Sequence, residues 1–266
     1  MSLRLRGVVL VSRDPAALAL FYERGLGFTA TSPCSPDGPV LSLGAECMRI
    51  VPASAAGTDY PLPRASNDPW FQHIAVVVTD MRAAYRRALD HGAVAITIGG
   101  PQRLPESSGG VTAWKFRDPD GHPLELLEFP PAACPAPWRA RSGGANGIGI
   151  DHSAIVVADT ERSVRFYAAL GFAPAGGSLN RGKEQAALDG LADPAVVVTA
   201  LRPPGGAPPH LELLEYRAPA PVRPTGTLAG TWAADDVAAT RLLAEGGTPA
   251  LLRDPDGHFL AIATVP

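Results

Sequence analysis

Apolar strands that end at an aspartate recur along the chain. Residues 73–80 read HIAVVVTD and residues 152–159 read HSAIVVAD, so each segment runs from a histidine through an apolar stretch to an aspartate. An aspartate in that position caps the N-terminus of a helix. The same order occurs at residues 7–12 with Asp14 as the cap, followed by a proline in the first helical turn. The pattern predicts a repeated β-α-β-β-β unit.

Four such units follow one another, and the fourth is shortened. In order, the predicted elements are strand 7–12, a helix from Asp14 to about Gly25, and strands 28–31, 40–43 and 47–51; strand 71–78, helix 81–91, and strands 94–98, 111–116 and 124–129; strand 151–157, a helix from Asp159 to Leu170, and strands 184–188, 195–201 and 210–216; strand 228–233, a helix from Asp235 to Glu245, and strands 249–252 and 259–264.

Two longer motifs show that the second half of the chain duplicates the first. RDPDGH occurs at residues 117–122 and 253–258, and FYERGLGF at 21–28 corresponds to FYAALGF at 166–172. The first half is predicted to span residues 1–130, with modules at 1–52 and 70–130. The second is predicted to span 148–266, with modules at 148–217 and 225–266. The segment 99–110 is predicted to be a polar loop at a pocket mouth.

Histidine and glutamate recur at matching places in the two middle units. His73 and His152 begin their strands, and Glu125 and Glu212 each stand between two leucines on a later strand. An ionised carboxylate on an apolar strand face is costly unless it meets a cation or several donors. A divalent metal would satisfy two imidazoles and two carboxylates together and still accept water or substrate. The other histidines are expected to be solvated, at positions His91, His122, His210 and His258.

Composition narrows the choice of partners. The chain has 266 residues, of which 46% are hydrophobic, and a formal net charge of -3. This charge offers no electrostatic case for nucleic acid or an anionic membrane. No apolar run approaches the roughly 18 residues that span a bilayer, and the N-terminus lacks a secretory pattern. We expect a cytoplasmic protein, monomeric or homodimeric, that binds a small molecule.

Cysteine usage argues against two other kinds of site. Cys34, Cys47 and Cys134 are odd in number and have no CxxC spacing. A disulfide framework and a thiolate zinc site are therefore both disfavoured.

The motifs together resemble those of the vicinal oxygen chelate superfamily, which includes glyoxalase I, methylmalonyl-CoA epimerase, extradiol dioxygenases and fosfomycin- and bleomycin-resistance proteins. The resemblance rests on HxAxVVxD, FYxxLGF and DPDGxxxEL, and it covers almost the whole chain. It implies an α+β fold in which four βαβββ modules form two cupped mixed sheets. It also implies that His73, Glu125, His152 and Glu212 bind one divalent metal ion, which would be Zn, Ni, Co, Mn or Fe.

The outer modules depart from this pattern. Alignment on the helix motif places Gly7 and about Arg49 at the two ligand positions of module one, and about Ala229 and Ala261 at those of module four. If modules one and two share a cup, and three and four share the other, each cup has half a site. If module two pairs with three and one with four, as in some fused glyoxalases, one cup has all four ligands. We favour the second arrangement.

The complete ligand set resembles that of bacterial glyoxalase I and implies a lyase or isomerase. Such an enzyme transfers a proton next to a carbonyl of a small, possibly thiol-conjugated substrate, with Glu125 or Glu212 as the base. The sequence does not choose between these two glutamates. One alternative is an extradiol-type ring-cleaving dioxygenase with Fe(II), although the bare fourth module argues against it. Another is a non-catalytic, ligand-sequestering protein of the resistance type, although the retained ligands argue against that.

Several further side chains are candidates for the substrate pocket. Basic groups in loops could border it, polar groups could orient a substrate oxygen, and aromatic rings could form its wall. These candidates are Arg103, Arg181 and Lys183; Asn180 and Gln185; and Trp70, Trp114 and Tyr216.

Overall fold

The computed structural model describes residues 3–32, 38–221, 233–246 and 248–263. Within these ranges the strands are β1 (Arg4–Ser12), β2 (Thr29–Ser32), β3 (Val40–Leu43), β4 (Glu46–Pro52), β5 (Gln72–Val77), β6 (Val94–Ala95), β7 (Gln102–Arg103), β8 (Thr112–Arg117), β9 (Pro123–Glu128), β10 (Gly149–Val156), β11 (Ala173–Arg181), β12 (Ala195–Arg202), β13 (His210–Ala218), β14 (Arg241–Glu245), β15 (Ala250–Arg253) and β16 (Phe259–Ala263). The α-helices are α1 (Pro15–Phe21), α2 (Met81–Asp90), α3 (Ala136–Arg139), α4 (Thr160–Ala169) and α5 (Lys183–Asp189).

These strands form two mixed sheets in the described part of the chain. One has the order β15-β16-β14-β1-β4-β3-β2, and the other has the order β11-β12-β13-β10-β5-β9-β8-β6, with β7 pairing to β8. We call them the β1/β14 sheet and the β5/β10 sheet after their central antiparallel pairs. Module two thus pairs with module three, and module one with module four, as favoured from the sequence. The α+β fold with two mixed sheets is confirmed.

Aspartate side chains explain where three of the helices begin after the preceding strand. The side chains of Asp14, Asp80 and Asp159 accept hydrogen bonds from the backbone N–H groups three residues later, each at 3.0 Å. These bonds satisfy donors that the first helical turn leaves unpaired. The predicted caps of α1, α2 and α4 are therefore confirmed.

Alternation along the strands turns one face of each sheet toward these helices. Ile74 and Val76 of β5 pack in the same apolar cluster as Val8 and Leu10 of β1, together with residues of α1 and α2. A second cluster joins Ile155 to residues of β14 and β16 around α4. The two sheets therefore pack against each other through the helices, which leaves their opposite faces for other roles.

The repeated DPDGH turn joins the two modules of each half. Tyr22 of module one donates from its hydroxyl to Asp118 Oδ2 at 2.8 Å. Nδ1 of His122 lies 2.8 Å from the same oxygen, and its Nε2 lies 3.1 Å from the Val11 carbonyl oxygen. This network connects the helix and first strand of one module to the final hairpin of the next.

The second half repeats the network. Tyr167 donates to Asp254 at 3.0 Å, and His258 Nε2 lies 2.8 Å from the Val156 carbonyl oxygen. His122 and His258 are both buried. The expectation that they are solvated is wrong, because each is enclosed between a turn and the strand of a neighbouring module. His91, in contrast, is exposed as expected.

Module three differs from the predicted order at one element. The segment predicted as a strand at 184–188 is the helix α5, and the preceding strand is β11, which was not predicted. The sequence KEQAALD has good helix formers throughout, which favours the observed helix. This helix closes over one end of the β5/β10 sheet, where it contacts β7, β8 and β11.

Module four differs more. The segment predicted to end a helix at Glu245 is the strand β14, whose partners are β1 and β16. Asp235 lies in a turn and caps no helix. Most of the predicted strand 228–233 lies outside the described residues. Pairing with two strands outweighs the helix propensity of RLLAE, because most stability of a short element comes from packing.

No helix in the described ranges is both long and apolar enough to span a membrane.

Candidate metal centre

The central strands of the β5/β10 sheet bring the four predicted site residues into two adjacent rows. His73 on β5 is opposite Ala154 on β10, and Ala154 is beside Glu212 on β13. In the next row His152 is opposite Ala75, which is beside Glu125 on β9. The rows are related by an approximate two-fold symmetry, with the small alanine side chains leaving space between the polar ones.

The ligand atoms of three residues form a compact group. His73 Nε2 lies 3.1 Å from Glu125 Oε2, and His152 Nε2 lies 3.6 Å from the same oxygen. One ligand atom from each of these residues lies within 4.8 Å of the other two. All three side chains are buried.

The fourth predicted residue, Glu212, lies at the edge of this group. Its Oε2 is 3.6 Å from His152 Nε2, and its Oε1 is 3.4 Å from His210 Nε2. The Glu212 side chain is 21% exposed, against 7% for Glu125. His210 therefore borders the site, because the parallel pairing of β10 and β13 sets it beside His152, while its side chain is 29% exposed.

A β-bulge adds a further carboxylate. The register between β5 and β10 shifts at residues 150–152, so that Asp151 is an extra residue on its strand. Its Oδ2 lies 3.1 Å from His152 Nδ1, and its Oδ1 accepts a 2.7 Å hydrogen bond from Trp138 Nε1. Asp151 thus orients the His152 ring so that Nε2 faces Glu125 and Glu212. The sequence offered no sign of this, because alternation alone would place neighbours on opposite faces.

Electrostatics keep both glutamates ionised. Burial opposes the charge of Glu125, but interactions with the His152 and His73 imidazoles hold its pKa well below the usual range. Burial likewise opposes ionisation of Glu212, and the positive charge of His152 lowers its pKa. Burial lowers the pKa of His73, with smaller contributions from the charges of Lys115 and His152, and together they outweigh the opposing effect of Glu125. The pKa of His152 is raised well above its ordinary value, against the effect of burial, chiefly by Glu212 and Asp151.

These donors fit a divalent metal. His152 Nε2 is buried without a hydrogen-bond partner while two carboxylate oxygens face it at 3.6 Å. Imidazole nitrogens with carboxylate oxygens suit Zn, Ni, Co, Mn or Fe ions. His73, Glu125 and His152 would hold such an ion, and Glu212 is near enough to join them. The Asp151–His152 contact is the second interaction that a metal-binding histidine usually has.

The group opens into a cavity of about 360 Å³, a size suited to a small molecule. Its walls have about as much polar as apolar surface, and Gly176 and Gly177 of β11 contribute no side chain. The predicted loop at 99–110 supplies Ser107 and Ser108 to the lining. The apolar wall comprises Leu104, Val111, Leu127, Phe129, Leu188, Val196, Val198 and Leu214.

The basic side chain that lines this cavity was not among those predicted from the sequence. Lys115 lines the cavity, whereas the predicted Arg103, Arg181 and Lys183 do not. Lys115 alternates with Trp114 and Phe116, both of which face the helical core. The sequence signal for this residue was a charged side chain between two aromatic residues of one strand.

The other polar and aromatic candidates divide between cavity and core. Asn180, Gln185 and Tyr216 line the cavity, as considered from the sequence. Trp114 lies in the core around the helices, and Trp70 belongs to an apolar cluster with Phe259.

Equivalent positions in the β1/β14 sheet carry no metal-binding side chains. The registers equate Gly7 with His152 and Arg49 with Glu212, which agrees with the sequence alignment. They equate Ala261 with Glu125, again as aligned, but Arg241 with His73. The assignment of Ala229 to that last position is wrong, because the register of β14 with β1 places Arg241 there.

Comparison with known proteins agrees with this architecture. Residues 4–126 match the family model described as the Glyoxalase/Bleomycin resistance protein/Dioxygenase superfamily. No curated protein sequence gives a significant match. The chain is similar in structure to glyoxalase I from Zea mays, with a TM-score of 0.62 and 16% identity over 99% of this chain and 92% of that chain. A point mutant of the maize enzyme gives a TM-score of 0.61 and 15% identity over 98% and 93% of the two chains. At identities this low, the structural similarity shows a common fold and no more.

Proposed function

We propose, from the match of residues 4–126 to the Glyoxalase/Bleomycin resistance protein/Dioxygenase superfamily model, that the chain is a metal-dependent lyase or isomerase. Its reaction would be proton transfer at a carbon next to a carbonyl group of a small substrate. The observation that carries this proposal is the buried group of His73, Glu125 and His152, with Glu212 beside it, at a cavity of about 360 Å³.

The protein groups around the cavity suit this chemistry. A divalent ion held by His73, Glu125 and His152 would polarise the carbonyl oxygen and stabilise negative charge that develops there. Apolar side chains such as Leu127, Leu188 and Leu214 line the cavity and would limit the access of water to the reacting atoms. A carboxylate that is not firmly held can then remove the proton.

Glu212 is the better candidate for this base. Its carboxylate is the more exposed of the two, and its nearest contacts are 3.4 Å and longer. Glu125 is held by His73 at 3.1 Å and has the more strongly lowered pKa, which weakens it as a base. Glu212 would accept the proton on a carboxylate oxygen and return it to the neighbouring carbon, which completes an isomerisation.

The first test is metal content with a turnover screen. The purified protein should contain a divalent metal, and His152→Ala should lose it together with any turnover of hemithioacetals or acyl-CoA thioesters. His91→Ala is the matched control, because His91 is exposed and its Nδ1 lies 2.9 Å from a backbone carbonyl oxygen of its own helix, that of Arg87. Undiminished metal in the His152→Ala protein would refute the assignment.

One observation favours a second candidate function. The compact group of two histidines and one carboxylate, with Glu212 at its edge, has the composition of the iron site of non-haem oxygenases. Oxygen uptake with catechol and Fe(II), without turnover of hemithioacetals, would support a ring-cleaving dioxygenase instead of the isomerase.

A further inference from the structure

A buried lysine stands beside one of the two glutamates. Lys115 on β8 is the cross-strand neighbour of Glu125 on β9, and its side chain is only 5% exposed. Directly opposite residues have Cβ atoms about 5 Å apart. The ammonium group is therefore a close neighbour of the candidate metal centre, and it lines the same cavity.

The lysine is held by a carboxylate that is itself fully engaged. Lys115 Nζ lies 2.7 Å from Asp189 Oδ1 at the end of α5. Asp189 Oδ2 accepts from Gln185 Nε2 at 2.7 Å and from the Tyr216 hydroxyl at 3.0 Å. Burial disfavours the ammonium form, but Asp189 more than offsets this and raises the pKa of Lys115. The cavity thus contains a fixed positive group.

This group has donors to spare. An ammonium has three N–H bonds, and Asp189 is the only hydrogen-bond partner of Lys115 Nζ among the residues described by the structure. Two N–H bonds therefore remain for an acceptor in the cavity. An ammonium group that only attached α5 to the sheet would not need to line the cavity.

The fold does not require a lysine at this position. The approximate two-fold symmetry of the site relates Lys115, beside Glu125, to Ala200, beside Glu212. Both residues line the cavity, one with an ammonium and the other with a methyl group. The two sides of the candidate metal centre therefore offer different surroundings to a substrate.

The charges around Lys115 indicate what it would bind. Asp189 neutralises the lysine, and the three carboxylates of Glu125, Glu212 and Asp151 outweigh the two positive charges of a divalent ion bound in the same cavity. A substrate carboxylate would meet these acidic groups, whereas an uncharged hydroxyl or carbonyl oxygen can accept a hydrogen bond from the ammonium without that repulsion.

We propose that Lys115 is a substrate-binding residue that donates a hydrogen bond to an uncharged oxygen next to the reacting carbonyl. The inference rests on the proposed function and deepens it, because it defines the substrate class as small, uncharged hydroxycarbonyl or dicarbonyl compounds. Lys115 sets the direction in which such a substrate lies across the site, with its additional oxygen on the Glu125 side.

Two hydroxamates test this without any turnover. Acetohydroxamate and glycolohydroxamate both chelate a metal, and they differ by one hydroxyl group next to the carbonyl carbon. Their dissociation constants are measured by titration calorimetry on the full chain loaded with one equivalent of Zn²⁺. The wild-type protein should bind glycolohydroxamate about tenfold more tightly, which corresponds to one hydrogen bond to a charged donor.

Lys115→Met should reduce that ratio to about one while zinc content and acetohydroxamate affinity stay unchanged. The double variant Lys115→Met/Asp189→Asn removes both charges and gives the same comparison if a lone buried Asp189 prevents folding. Lys183→Met is the matched control, because the Lys183 side chain is 91% exposed and outside the cavity lining. It should keep the wild-type ratio.

The outcomes separate the two proposals. Equal affinities in the wild type, or a ratio that persists in both Lys115 variants, would overturn the role of Lys115 and leave the metal centre intact. Failure of the wild-type protein to bind zinc or either hydroxamate would overturn the proposed function and this inference with it.

Discussion

The β5/β10 sheet and the β1/β14 sheet are built to the same plan, yet among the described residues only the first has the side chains of the candidate metal centre. Each has an antiparallel central pair flanked by parallel strands, and a bulge one residue before the position of His152 or Gly7. In the first sheet the bulged residue is Asp151, which orients an imidazole. In the second it is Arg6, which pairs with Glu245.

Backbone geometry explains part of this difference. Gly7 has φ +149, and a Cβ there would lie 1.8 Å from the Cys47 carbonyl oxygen. No side chain fits at that position without displacing β4, so a histidine equivalent to His152 is excluded sterically. Arg241, the equivalent of His73, donates to the Ala234 carbonyl oxygen at 2.9 Å.

The corresponding face of the β1/β14 sheet is also covered. Phe259 lies two residues before Ala261 and hence on the same face, where it packs with Tyr60, Trp70 and Val237. The linker after β4 and the turn before β14 therefore fill the place that is a cavity in the other sheet. One fold thus supports either a site or an apolar contact, and the difference lies in a few side chains and two connecting segments.

The two glutamates provide the largest expected effects within the site. Glu212→Gln should retain bound metal and lower turnover by about 10²- to 10⁴-fold, the usual contribution of a general base. Glu125→Gln should instead lose the metal, because Glu125 lies in the compact group with both histidines. Metal content and kcat, measured on both variants, would contradict this assignment if the two outcomes were exchanged.

Gly7→Ala should sharpen the steric comparison. The clash with the Cys47 carbonyl oxygen and the positive φ together should lower the free energy of unfolding by about 3 kcal/mol or more. Gly144→Ala is the control, because Gly144 also has positive φ but its Cβ would meet nothing within 4 Å. Urea unfolding should show a cost of about 1 kcal/mol for that variant. Equal costs would show that the approach of β4 does not restrict position 7.

Asp151→Asn should weaken metal binding by about 10- to 100-fold, as expected when a metal-bound histidine loses its orienting carboxylate. The measurement is competition with a chelator of known affinity. Asp90→Asn is the control, because Asp90 is exposed at the end of α2. Unchanged affinity in the Asp151→Asn protein would mean that the bulge has no role in orienting His152.

The first DPDGH turn should contribute to stability in a pH-dependent way. Both ring nitrogens of His122 face acceptors, Asp118 Oδ2 and the Val11 carbonyl oxygen, so the imidazolium form suits the geometry. Burial opposes this charge, but Asp118 outweighs it and raises the pKa of His122. The stabilisation is therefore complete below the unfolded-state pKa of about 6.5 and is lost as pH rises through the folded-state value.

His122→Gln should accordingly cost about 1 to 2 kcal/mol of unfolding free energy at a pH of about 5.5, and less at a pH of about 9. Urea titrations of the wild type and the variant at both pH values give the comparison, with His91→Gln as the exposed control. A cost that increases with pH would contradict the charged network.

Recurrence along the chain predicted much of the fold and brought out the candidate site residues. The matching frames around His73 and His152 identified residues that lie in one cavity, because a duplicated strand repeats its register and hence its facing side chains. Arg241 was missed because the β-α-β-β-β order was imposed on a module in which a turn, rather than a helix, precedes the strand that pairs with β1. The same expectation made α5 a strand despite its helix-forming sequence.

The other residues missed depend on contacts between distant segments. Asp151 faces the site only because of a bulge, and His210 joins it only through the register of β10 with β13. Lys115 is paired with Asp189, which lies 74 positions later on a different module. Neither periodicity nor a motif encodes such pairings.

Metal stoichiometry tests the contrast between the two sheets most directly. The protein is purified, equilibrated with excess Zn²⁺, freed of loosely bound ions and analysed for metal per chain. One site in the β5/β10 sheet and none in the β1/β14 sheet predicts one ion per chain, and no ion in a His73→Ala/His152→Ala variant. Two ions per chain, or one ion that persists in that variant, would contradict this account.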